Sequence, residues 1–261
     1  MPKGVEVRVL SAAHFLLHLF MWLVLFLFLV KPVFAQSPTD LYTQYRTDYL
    51  YQRDQYQQNY TDYLNKKNIY LQYQTSNAEQ DEINATKTVF LSRNSLLKAY
   101  LMTLRVALDQ NSSYSSNTPD IQAKLQNLEN WLDTQNQLIP NLNSATDLSN
   151  WAKTFNTQNV SIQALSYTAI VESQINLRLA TLDQIQKLAD TAQINWSDTY
   201  NSQSDQIKSL LQSAYNTTQK IQRQDKYTDF YPEAKKYLNQ SDTRLDNLIS
   251  DLKSYLIQKT N

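Results

Sequence analysis

After Gly4 the chain contains no glycine, and that absence removes more folds than any residue present suggests. Glycine takes a positive φ at little cost, so a chain without it forgoes the tightest β-hairpin turns and every glycine loop that cradles phosphate. Prolines are almost as sparse: beyond Pro38 only Pro119, Pro140 and Pro232 occur. Long stretches without breakers read as long helices. The expected fold is all-α, an elongated antiparallel helical bundle or set of coiled-coil hairpins behind an N-terminal hydrophobic leader.

That leader is residues 15–35, FLLHLFMWLVLFLFLVKPVFA, preceded by Lys3 and Arg8. A basic start, an apolar middle and Val33-Phe34-Ala35 before Gln36 make a signal peptide cut between Ala35 and Gln36. The competing reading keeps residues 10–30 as a membrane anchor, since about 20 apolar residues suffice to cross a bilayer. Either way residues 36–261 are expected outside the cytoplasm, as a secreted, periplasmic or cell-surface protein. The expected organisation is a leader over 1–35, a tyrosine-rich helical hairpin over 36–110 and further helices of the same bundle over 111–261.

Charge and missing residue types then narrow the function. Acids and bases number 24 each, and the leader holds Lys3, Arg8 and Lys31 against Glu6, so the remainder is slightly acidic. No nucleic-acid partner is expected from such a surface. Cysteine is absent, and His14 and His18 both lie in the leader. The exported part therefore lacks disulfides, thiolate nucleophiles and the commonest general base and metal ligand. Neither a cofactor nor a metal is expected, and an enzyme is the least expected class.

From Leu41 to Tyr73 one pattern dominates: Tyr42, Tyr49, Tyr56, Tyr63 and Tyr70 recur every seven residues, with Tyr45, Tyr60 and Tyr73 nearby. Seven residues return a side chain to nearly the same helix face, so this is a helix with an aromatic seam, capped by Thr39 or Asp40. A second run, Ile83, Phe90, Leu97 and Leu104 with Leu101 and Leu108, is out of phase with the first. Ser76 and Glu79 between them have capping-box spacing. A turn there makes a hairpin; one continuous helix with a shifted repeat is the alternative.

Polar residues 111–118 read as a linker, and Thr118-Pro119-Asp120 as a helix start. Ile121, Leu125, Leu128, Leu132 and Ile139 follow, with Trp131 beside them, until Pro140 ends the helix and residues 140–146 form a loop. A short helix with Leu148, Trp151, Ala152 and Phe155 is expected to break at Asn156 to Asn159. A longer one carries Ile162, Leu165, Val171, Ile175, Leu182, Ile185, Ala189 and Ala192. After a break at Trp196-Ser197-Asp198 comes a polar helix with Ile207, Leu211, Ala214, Thr218 and Ile221, whose core contribution should be weak. Tyr231-Pro232-Glu233 opens the last helix, with Leu238, Leu245, Leu248, Leu252 and Tyr255.

The tyrosine seam, Tyr42, Tyr49, Tyr56, Tyr63 and Tyr70, is the candidate interaction site. Tyrosines at helical spacing pack against a partner helix or a second copy of the chain, or stack on the sugars of a cell-wall glycan when exposed. Packing is the stronger reading. Asp81 with Glu82, and Asp225 with Asp229, are the carboxylate pairs weighed for acid-base work, and a solvated helix face explains them better. Asn-x-Ser/Thr sequons at Asn59, Asn84, Asn111, Asn159, Asn195, Asn216 and Asn239 accept glycans only in a host that glycosylates its exports.

Three function classes remain. The leading expectation is an exported or membrane-tethered, non-enzymatic scaffold or coiled-coil partner protein of the cell envelope. The alternatives are a ligand-binding extracytoplasmic sensory module anchored by an uncleaved leader, and a glycan-binding surface protein using the tyrosine seam.

Overall fold

A computed structural model describes residues 38–193, 197–221 and 227–260. Within them the chain is almost entirely helical: α1 (Pro38–Tyr73), α2 (Ser76–Asp109), α3 (Thr118–Leu138), α4 (Ala145–Thr191), α5 (Ser197–Ile221) and α6 (Tyr227–Thr260). Short 3₁₀ turns at Ser112–Tyr114 and Ile139–Asn141 complete the described elements. The leader, including Ala35 and Gln36, and Asp225 lie outside the described residues. No helix among the described residues is long and apolar enough to cross a membrane.

The helix ends show how a chain without glycine turns. Gln74 stands at φ 49° after α1 and Gln193 at φ 53° after α4, and the Gln74 amide donates to the Tyr70 carbonyl at 2.8 Å. Glutamine thus occupies the left-handed cap that glycine usually fills, at a steric cost of roughly 1 kcal/mol each. Positive φ is used despite the composition. Thr75, one residue before the expected Ser76, caps α2, accepting the Ala78 amide on its hydroxyl.

Further boundaries depart from the sequence reading. Ala145–Thr191 is one helix of 47 residues, roughly 70 Å at 1.5 Å per residue, with no break at Asn156 to Asn159. Asn156 and Thr157 are exposed on it, so polar residues there satisfy water while Phe155 and Ile162 carry the buried side across. A capping box of Ser144 and Asp147 opens this helix inside what reads as loop. Pro232 sits within α6, five residues after its start at Tyr227, so the helix forgoes one backbone hydrogen bond there.

Two hydrophobic cores share α4. The first joins Leu101 and Leu108 of α2, Ile121, Leu125, Leu128 and Leu132 of α3, and Trp151, Phe155, Ile162, Leu165 and Ala169 of α4. The second joins Val171, Ile175, Leu182, Ile185 and Ala189 of α4 with Ile207, Leu211 and Ala214 of α5 and Leu238, Leu245, Leu248 and Leu252 of α6. The two α4 sets have the same spacing, displaced by twenty residues, a rotation of roughly 200° about the axis. One helix therefore buries opposite sides in its two halves. Contrary to expectation, α5 contributes fully: Ile207, Leu211, Ala214 and Thr218 are all buried.

Candidate functional site

The tyrosine seam faces α2, the helix on which α1 packs. Lys66 Nζ meets Asp81 Oδ2 at 3.1 Å, and the rings of Tyr49 and Tyr100 lie 5.6 Å apart. These contacts fix an antiparallel register that sets Tyr42, Tyr49, Tyr56, Tyr63 and Tyr70 opposite Val106, Ala99, Ser92, Ala85 and Ala78. All five α2 residues are buried, and all five tyrosines are half-buried. Small side chains every seven residues leave room for large rings lying across them. Of the neighbouring tyrosines, Tyr45 is half-buried, whereas Tyr60 and Tyr73 are 43% and 62% exposed.

Where the seam approaches α4 and α6 it enters a tyrosine cluster. The rings of Tyr167 and Tyr231 lie 4.8 Å apart, tilted by 38°. Burial, reinforced by Tyr49, Tyr167 and Tyr231, raises the Tyr100 phenol above its ordinary value. Nearby, Arg93 lies over the rings of Phe90, Trp151 and Phe155, at 3.7 Å from the Phe155 centroid. Its Nε and Nη2 are buried without hydrogen-bond partners, and desolvation pulls its pKa down to about 10. It stays charged at neutral pH and is held by aromatic faces.

Charged pairs tie the helices together elsewhere. Arg105 grips buried Glu129 with both prongs, at 3.0 and 3.2 Å, yet burial outweighs the arginine and raises the Glu129 carboxyl. Lys98 reaches both oxygens of Asp133 at 2.7 Å, and Arg178 joins α4 to α6 through Asp242 at 2.6 Å. Trp151 Nε1 donates to Gln135 at 2.9 Å inside the first core. Asp81, one of the weighed carboxylates, is spent on Lys66. Among the described residues no cluster of His, Cys, Asp and Glu could hold a metal.

A different site appears where α4 changes sides. The linker after α2, carrying Tyr114, Ser115, Ser116 and Asn117, packs beside α4 and α5 around a cavity of about 280 Å³. Glu172 lines it at 1% exposure, accepting a hydrogen bond from the Ser115 hydroxyl. Desolvation raises its carboxyl above the usual range. Lys208, Gln212 and Tyr215 of α5 complete the wall. One turn along α4, buried Asn176 donates to Thr118 Oγ1 at 2.9 Å while its own Oδ1 has no partner.

Sequence reasoning passed over this cavity, although a signal existed. Ile162, Leu165, Ala169, Glu172, Asn176 and Leu179 follow alternating steps of three and four, so Glu172 and Asn176 occupy positions in an apolar row. A polar pair there signals a buried polar site. Comparison with protein-family models, curated proteins and solved structures finds no match to this chain.

Proposed function

We propose that this is an exported, non-enzymatic helical-bundle scaffold, released at Ala35 or held by residues 10–30, whose copies assemble through the outer side of α1. The observation that carries this reading is the charge order on that side. Asp40, Arg53, Asp54 and Lys67 are all exposed. A second α1 laid antiparallel about the Arg53–Asp54 midpoint sets Asp40 against Lys67 and Arg53 against Asp54. Tyr51, Tyr60, Leu64 and Leu71, each at least 40% exposed, supply apolar area between these pairs. Such self-complementarity is what a two-fold interface requires.

On this reading the tyrosine seam builds the hairpin and its outer side builds the assembly. The coiled-coil character lies in the heptad registers of α1 and α2. Sedimentation equilibrium of residues 36–261 tests it. A dimer that weakens as salt rises, is lost in Lys67→Glu and returns in Lys67→Glu with Asp40→Lys is expected. A monomer at 100 micromolar on the order used for weak interfaces, or a dimer indifferent to both changes, overturns it.

A further inference from the structure

The cavity beside Glu172 has the features of a built ligand site rather than a packing fault. Its floor is a carboxylate that is almost wholly removed from water. Ser115 supplies it one hydrogen bond, whereas a carboxylate can accept several. Among the described residues no cation comes within ion-pair distance of it. A buried acid in this state is costly unless something cationic or hydrogen-donating completes it. The unpartnered Asn176 Oδ1 one turn away is a second acceptor short of a donor.

The rest of the lining offers different chemistry. Lys208 lines the cavity and is exposed, which puts a base at the rim over an acid at the floor. Tyr114 and Tyr215 supply aromatic surface, and Ser116, Asn117 and Gln212 supply neutral hydrogen-bonding groups. The volume, about 280 Å³, lies near the small end of known ligand pockets. It admits a molecule the size of a free amino acid and is too small for a peptide or an oligosaccharide.

We infer that this cavity binds a small zwitterion of amino-acid size, its ammonium group against Glu172 and its carboxylate toward Lys208. The ammonium's three donors meet the free lone pairs of the Glu172 carboxylate, and the tyrosine rings flank it as they do other organic cations. No bond is made or broken. Binding clamps the linker after α2 to α4 and α5, at the point where α4 passes from one core to the other. Occupancy would stiffen the junction between the cores, independently of any assembly through α1.

The test uses residues 36–261 and the twenty free amino acids, each added singly at millimolar concentration, with ethylamine and acetate as single-charge controls. Saturation-transfer NMR and thermal melting are the readouts. At least one amino acid is expected to show saturation transfer and to raise the melting temperature, with ethylamine and acetate much weaker. Glu172→Gln should abolish the effect, and Lys208→Met should weaken it about tenfold. Ser116→Trp, which fills the cavity from the linker, should abolish binding with Glu172 left in place.

Glu172→Gln also checks its own folding. The carboxyl titrates above its ordinary value because burial disfavours the charge, so the ionised form costs stability as pH rises through the folded-state value. The glutamine variant should therefore melt higher than the parent at neutral pH, with the difference shrinking in acid where both side chains are neutral. Loss of binding in a variant that melts higher cannot be ascribed to unfolding. No saturation transfer with any amino acid, equal binding by Glu172→Gln, or equal binding of ethylamine or acetate overturns the inference.

Discussion

Helix α2 presents one side to α1 and another to α3 and α4, and they are built on different plans. Toward α1 it offers a row of small residues, Ala78, Ala85, Ser92 and Ala99, ending in Val106, beneath tyrosines that remain half-buried. Toward α3 and α4 it offers Leu101 and Leu108 at 0% exposure, joined by Phe90, Leu97 and Leu104. Both rows repeat every seven residues. Periodicity therefore identifies the sides that pack, and the size of the residues on the facing helix decides how deeply each is buried.

This contrast can be broken where it is strongest. Leu101→Ala should destabilise the fold by about 2–5 kcal/mol, the range for emptying a fully buried leucine site, seen as a lower urea midpoint with an unchanged slope. A loss below about 1 kcal/mol would mean that the α2–α3 side is no more consolidated than the tyrosine side.

The small-residue row is the next target. Ala85→Leu places a branched side chain where the register puts Tyr63 and should cost about 1–3 kcal/mol by overpacking, read from thermal unfolding. A neutral result would show that the ring can swing outward and that the row does not constrain the seam.

The smallest effect belongs to the exposed tie across the hairpin. Lys66→Ala removes the pair with Asp81, whose partners are 36% and 57% exposed. A change below about 1 kcal/mol is expected, decreasing further as salt is added. A larger, salt-insensitive loss would place the hold of α1 on its charges instead of on its rings.

Much of this organisation was legible in the residues. The Tyr42 to Tyr70 heptads, the turn before α2, the start at Pro119 and the leucines of α6 all follow from local rules whose causes lie within a few residues. The continuity of α4 was harder, because Asn156 to Asn159 are as compatible with an exposed helical turn as with a loop, and only the packing of Phe155 and Ile162 into one core selects the helix. The fully buried side of α5 was underestimated for a related reason. Ala214 and Thr218 look weak in sequence, yet small groups pack most closely where α4 and α6 approach from two sides.

The Glu172 cavity marks the limit of local reading. Its polar pair stands in an apolar row, a visible irregularity, but the residues that line the cavity with Glu172, among them Ser115, Lys208 and Tyr215, come from the linker and from α5, far away in sequence. By itself the amino-acid sequence determined that the described residues would be helices, because the breakers are missing, and which positions would turn inward, because heptads repeat. Tertiary structure alone decided that α4 serves two cores from opposite sides, that the tyrosines rest on a row of mostly small residues, and that an acid lies buried where the cores meet. Periodicity is a property of one helix, whereas burial depends on which surfaces meet.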